Sequence, residues 1–85
     1  MSSIERKVCQ HIADAIGVGI EEVTPSTTLA SLDIGLEEKI EIMDNISIDY
    51  GIDPADDDII EGWTTVQDFI NYTNLMDLDL EEDED

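Results

Sequence analysis

The chain has 85 residues, 41% of them hydrophobic, and its 23 acidic and 3 basic residues give a formal net charge of −20 at pH 7. This length accommodates a single small domain, and the hydrophobic fraction excludes a fully disordered chain. The negative charge opposes binding to nucleic-acid phosphates and to anionic lipids, so we expect basic patches on other proteins as partners, with neither nucleic acid binding nor membrane insertion.

Cys9 is the only cysteine, so the chain has no intramolecular disulfide and too few thiols for a zinc cluster. The first six residues lack the hydrophobic core of a secretory signal. No apolar run in the sequence reaches membrane-spanning length. These features predict a cytoplasmic protein, and we expect it to be a monomer.

The first predicted helix covers residues 3–16. Its apolar residues are spaced four apart and form one stripe: Ile4, Val8, Ile12 and Ile16. Gly17 is a suitable helix end. Cys9 lies beside this stripe and is expected to be buried. His11 has no second histidine or cysteine pair near it, so we expect a structural residue and not a metal ligand.

Residues 17–35 have no sustained periodicity and are predicted to form a long loop. Apolar residues along this loop are expected to hold it against the core: Val18, Ile20, Val23, Leu29 and Leu32. A loop of this length is uncommon in a compact domain and often carries function.

The second predicted helix covers residues 36–50 and is followed by Gly51. Its apolar residues recur at helical spacing: Ile40, Ile42, Met43, Ile46 and Tyr50. Its remaining surface is acidic: Glu37, Glu38, Glu41, Asp44 and Asp49. Carboxylates in the first turn suit the positive end of the helix dipole.

A short third helix is predicted for residues 54–61. Asp53 is its expected cap, and Pro54 suits the first helical position. Ile59 and Ile60 are expected to supply its apolar contacts.

The fourth helix is predicted to start after Thr64 or Thr65, with Asp68 completing a capping pattern. Its inner face is expected to consist of four residues: Val66, Phe69, Ile70 and Thr73. Residues 76–85 form an acidic tail that we predict to be disordered.

Three segments, residues 21–25, 40–42 and 63–72, together resemble the acyl carrier protein family. Residues 21–25, Glu-Glu-Val-Thr-Pro, resemble the family's loop entry, and residues 40–42, Ile-Glu-Ile, resemble the Val-Glu-Leu of its second helix. Residues 63–72 resemble the start of its last helix. The resemblance covers residues 4–74 and implies an all-α, four-helix bundle with a long loop between helices one and two and a short third helix. It also implies a relation to carriers of thioester-bound chains in fatty acid or polyketide synthesis.

The family carries 4′-phosphopantetheine on the serine of an Asp-Ser-Leu motif at the start of its second helix. A helix N-terminus offers unpaired amides and a positive dipole end to such a phosphate. Counting without gaps from residues 23–25 to Glu41 places the motif on residues 35–37, so Leu36 occupies the serine position. Leucine has no oxygen to esterify. The resemblance therefore implies an acyl carrier homologue that holds no cofactor.

Ser31 is the alternative attachment site, because residues 30–33, Ala-Ser-Leu-Asp, superficially resemble the motif. Under this alternative the chain is a functional carrier modified with 4′-phosphopantetheine. However, Ser31 lies ten residues before Glu41, whereas the family spacing is five, and Gly35 would interrupt the added helical turn. We therefore expect Ser31 to be an ordinary loop or capping residue.

The acidic face of the second helix is the predicted partner-binding site: Glu37, Glu38, Glu41 and Asp44. Its partners would be basic patches on proteins such as acyl-chain synthesis or transfer enzymes. A working carrier and a non-carrying interaction module would both use this face, and a simple solvated surface is the remaining interpretation.

Neither catalysis nor a dedicated metal site is predicted. In a chain this acidic, pairs of carboxylates fall close together by chance, and one histidine and one cysteine provide little further chemistry. The densest acidic segment does not follow the order of a calcium-binding loop: Asp53, Asp56, Asp57, Asp58 and Glu61.

Overall fold

The computed structural model describes residues 3–81, and the side chains of residues 3–77. Four α-helices make up most of this range: α1 Ser3–Ile16, α2 Leu36–Tyr50, α3 Asp57–Glu61 and α4 Val66–Glu81. Two short 3₁₀ helices, Ile20–Glu22 and Ala30–Leu32, lie in the loop between α1 and α2. The described residues contain no β-strand beyond a single bridge between Thr28 and Thr65. The predicted all-α class with four helices is confirmed.

A single, mainly aliphatic core joins the helices, with α1 packed on α2 and α4 and with α2 packed on α3. The predicted stripe of α1 faces this core, with Val8 and Ile12 fully buried at its centre. Cys9 is also buried, as predicted. In the long loop, Val23 and Leu29 are buried, and the other predicted loop contacts are half-buried against the core: Val18, Ile20 and Leu32.

Glycines end the first two helices. Gly17 and Gly51 have φ angles of 76° and 67°, in the left-handed region where a side chain would be strained. The backbone N–H of Gly17 donates to the carbonyl of Ala13 at 2.8 Å, and that of Gly51 donates to the carbonyl of Ser47. The predicted bounds of α1 and α2 agree with the structure.

The N-terminal end of the third helix was predicted wrongly. α3 begins at Asp57 and is preceded by Asp56 as the N-cap residue, whereas Pro54 lies outside the helix. The carbonyl of Asp53, the residue predicted as the cap, instead accepts a hydrogen bond at 2.7 Å from the Tyr72 hydroxyl on α4. This tertiary contact fixes the segment before α3 against α4.

Only one of the two isoleucines of α3 contacts the core. Ile60 is buried, whereas Ile59 is 51% exposed, so its predicted apolar contact is wrong. A five-residue helix makes little more than one turn, and two successive residues on it point about 100° apart. Burial of Ile60 therefore leaves Ile59 in solvent.

α4 begins at Val66, as predicted, and Asp68 caps it. The Asp68 carboxylate accepts hydrogen bonds from the backbone N–H groups of Thr64 at 2.8 Å and Thr65 at 3.2 Å. The predicted inner face is buried: Val66, Phe69, Ile70 and Thr73.

The C-terminal end of α4 lies inside the segment predicted as a disordered tail. The helix continues through Glu81, because residues 66–81 contain no glycine or proline that would end it. The boundary predicted at residue 76 is therefore within α4, and residues 82–85 of the predicted tail lie outside the described range. In the part of the chain that the structure describes, no helix combines the length and apolar character needed to cross a membrane.

Candidate partner-binding site

The start of α2 presents an apolar side chain. Gly35 is the N-cap residue in an extended conformation, and Leu36 is the first helical residue with 41% of its surface exposed. The backbone N–H of Gly35 donates to Glu38 Oε1 at 3.0 Å. A carboxylate therefore already caps this helix N-terminus.

This helix start does not fit a phosphopantetheine arm. Leu36 has no hydroxyl to form the phosphodiester, and a Cβ added to Gly35 would lie only 3.0 Å from Glu38 Oε1. Glu37 and Glu38 place two negative charges in the first turn, where a phosphate would otherwise find positive potential. The local charge therefore opposes an anionic group at this position.

The outer face of α2 is an exposed acidic stripe. Glu37, Glu41 and Asp44 are spaced four and three residues apart, so they lie in line along the helix, and all three are exposed. Glu38 is also exposed but points back toward Gly35. The predicted site residues are thus brought together, with Glu38 serving in the helix cap as well.

Ile48 continues this stripe and was not predicted as a site residue. It lies four residues after Asp44 and is 79% exposed. The spacing from Glu37 through Glu41 and Asp44 would have placed it on the outer face, but an isoleucine in a helix is usually assigned to the core. The outer face of α2 therefore ends in an apolar group.

Lys39 is turned away from the acidic stripe. Its Nζ donates to the backbone carbonyl of Trp63 at 2.7 Å and to that of Glu61 at 3.3 Å. A cation at the C-terminal end of α3 is favourable because the last carbonyls of a helix carry partial negative charge. Since Arg6 and Lys7 lie on α1, the outer face of α2 carries no positive side chain.

Ser31 lies outside α2. It belongs to the 3₁₀ helix Ala30–Leu32, and its hydroxyl donates to the carbonyl of Thr28 at 2.7 Å. The following residue pair, Leu32 and Asp33, turns the chain, with Asp33 in the left-handed region at φ 59°. Ser31 therefore has a local capping contact of the kind expected for a loop serine.

His11 links α1 to α2. Its Nε2 lies 3.0 Å from Asp49 Oδ2, and both side chains are partly exposed. Within the described residues, no group of three or more histidine, cysteine, aspartate or glutamate side chains is placed to hold a metal ion. The contact of His11 is thus with a carboxylate on the neighbouring helix.

Comparison with known proteins gives no family assignment. No protein-family model matches this chain, and no curated protein sequence matches it.

Proposed function

We propose that this protein is an acyl carrier homologue that carries no prosthetic group and acts as a non-enzymatic protein-interaction module. The observation that supports this proposal most directly is the start of α2. There Leu36, which gap-free counting aligns with the family's serine, is exposed beside the acidic stripe of Glu37, Glu41 and Asp44.

The acidic stripe would bind basic patches on partner proteins. The net charge of −20 attracts such patches over a distance and raises the association rate, while the exposed carboxylates on α2 set the orientation of the encounter. Leu36 would supply an apolar contact beside these charges. The resemblance to acyl carriers makes enzymes of acyl-chain synthesis or transfer the first partners to test.

Intact-protein mass spectrometry tests the absence of the arm. The full chain is incubated with coenzyme A and a phosphopantetheinyl transferase of broad specificity, next to a true carrier protein as the positive control. We expect the mass of this chain to remain unchanged. Addition of one phosphopantetheine that is lost in a Ser31→Ala variant would contradict the proposal and make Ser31 the attachment site of a functional carrier.

Charge reversal tests the binding face. A Glu41→Lys/Asp44→Lys double variant is compared in affinity capture with a Glu21→Lys/Glu22→Lys variant, which makes the same charge change on exposed residues of the loop. We expect partners retained by the wild type to be lost only from the α2 variant. Equal retention by both variants would show that the α2 stripe is not the binding face.

A further inference from the structure

We propose that the groove between α1 and α2 is a second docking surface, which binds a cationic amphipathic segment of a partner protein with Ile48 as its apolar anchor. This inference rests on the proposed function only in treating α2 as a partner-binding helix. The groove is lined by α1 and by residues 45–49 of α2, where Ile48 also ends the acidic stripe.

The groove is a shallow depression, widely open to solvent, with a volume of about 490 Å³ and one side from each helix. His11, Asp14 and Ala15 line it from α1, and Asn45, Ile48 and Asp49 line it from α2. Ile48 is the most exposed large hydrophobic side chain among those that the structure describes, at 79%. Its side chain therefore contributes little to the core and stands at the edge of the cleft.

The walls of the groove are held in place by side-chain contacts. His11 Nε2 lies 3.0 Å from Asp49 Oδ2 and joins the two helices across the cleft. On α1, Gln10 Nε2 donates to Asp14 Oδ1 at 2.8 Å. These exposed contacts give the side chains of the groove a preferred arrangement in the free protein.

Charge decides which occupant fits. Asp14 and Asp49 line the groove together with Ile48, so an anionic ligand is repelled, and a second copy of this chain brings another charge of −20. A partner segment matches this surface when it places Lys or Arg near the two carboxylates and an apolar residue against Ile48. An amphipathic helix presents these residue types together, because positions three and four apart share one face.

A synthetic peptide can test this surface on the full chain. The probe is a peptide of about 15 leucine and lysine residues, a length sufficient for helix formation on binding. A peptide of the same composition in scrambled order is the control. Backbone amide chemical shifts are followed in about 0.15 M salt, where charges beyond about 8 Å are largely screened. We expect the amphipathic peptide to shift residues 10–15 and 45–49, and to bind more tightly than the scrambled one.

A pair of matched variants isolates the apolar anchor. Ile48→Ser removes the anchor, and Ile59→Ser makes the same change at the exposed isoleucine of α3. Both positions are exposed, so both variants are expected to retain the helical circular dichroism of the wild type. We expect Ile48→Ser to weaken peptide binding roughly tenfold or more, as for loss of a buried aliphatic contact, and Ile59→Ser to leave it unchanged.

Three results would overturn the groove assignment. The first is a set of shifts confined to Glu37, Glu41 and Asp44, which would leave the proposed function intact. The second is an equal loss of affinity in both isoleucine variants. The third is a wild-type dimer in analytical ultracentrifugation that Ile48→Ser dissociates, since a second copy would then be the occupant. Conversely, groove binding that survives in the Glu41→Lys/Asp44→Lys variant would support this surface even if the acidic stripe had no partner.

Discussion

Lys39 lies on α2, the helix that carries the acidic stripe, but its side chain stabilises the fold and does not contribute to the stripe. Its two hydrogen bonds to backbone carbonyls join α2 to the end of α3. We expect Lys39→Met to lower the free energy of unfolding by about 1–2 kcal/mol, because hydrogen bonds made by a charged donor are lost while the aliphatic stem remains. Urea denaturation followed by circular dichroism measures the change.

Lys7→Met is the control for Lys39→Met, because it removes the same charge from the molecule. The Nζ of Lys7 lies 5.6 Å from the centroid of the Tyr50 ring, a contact worth about 0.5–1 kcal/mol at an exposed site. A smaller loss is therefore expected for Lys7→Met. Equal losses would show that net charge, and not the carbonyl contacts of Lys39, determines the effect.

Cys9 should make stability depend on pH in the alkaline range. Burial raises the pKa of the Cys9 thiol above its ordinary value of 9.0, and the charge of Glu5 raises this pKa further. The folded state thus binds the thiol proton more tightly than the unfolded chain does. The resulting contribution to the free energy of unfolding is fully present below pH 9 and decreases as the pH rises through the folded-state pKa.

Unfolding free energies from about pH 8 to about pH 10 measure this effect. We expect the wild type to lose stability across the upper half of this range and Cys9→Ala to lose much less. The substitution also removes a buried side-chain atom, which lowers stability by about 1 kcal/mol at every pH. The pKa values of Tyr50 and Tyr72 are raised, first by burial, above 10.0, so their loss of stability begins near pH 10 and is shared by the wild type and the variant. Parallel curves for wild type and variant would contradict the role of Cys9.

At the scale of elements, the end of α2 depends on one backbone conformation. Gly51 has a φ of 67°, and a Cβ added to it would have no atom within 4 Å. Gly51→Ala therefore tests conformational strain without steric overlap, and we expect a loss of about 1 kcal/mol in unfolding free energy. Thermal and urea denaturation both measure it.

Gly62 provides the matched control, since it follows α3 with an ordinary φ of −81°. A Cβ added there would meet the Ile59 carbonyl oxygen at 3.6 Å, a normal contact. We expect Gly62→Ala to be neutral or slightly stabilising, because alanine reduces the freedom of the unfolded chain. Equal destabilisation by the two alanine substitutions would rule out strain at Gly51 as the cause.

The sequence predicts the elements whose signals are local. α1 and α2 have apolar residues at regular spacing and glycines at their ends, so their bounds follow from the pattern. The start of α3 cannot be predicted from a local pattern, because the hydrogen bond from Tyr72 to the Asp53 carbonyl joins residues 19 apart. A five-residue helix also has too few positions to establish a period.

The candidate site shows the same division between local and tertiary information. The exposed stripe of Glu37, Glu41 and Asp44 could be predicted from helical spacing alone. The groove beside Ile48 could not, because it depends on how α1 lies across α2, as the contact between His11 and Asp49 shows. A surface that two helices form together can be predicted only when the packing of those helices is known.

For the whole molecule, the dominant feature is charge confined to a small volume. The described residues extend 40 × 28 × 19 Å, and the full chain carries a formal charge of −20. At about 0.01 M salt the Debye length is about 30 Å, so carboxylates repel one another across most of the molecule. At about 0.15 M it is about 8 Å, and only neighbouring charges interact. Salt should therefore stabilise the folded chain.

We expect Tm to rise by about 5 °C or more between these two salt concentrations, equivalent to roughly 1 kcal/mol for a domain of this size. Sodium chloride and choline chloride should act equally, because screening depends on ionic strength and not on the identity of the cation. A Glu21→Gln/Glu22→Gln variant, with two exposed charges removed, should have a higher Tm at low salt and a smaller response to added salt. A Tm that does not change with salt, or that rises only with one cation, would show that self-repulsion is not the cause.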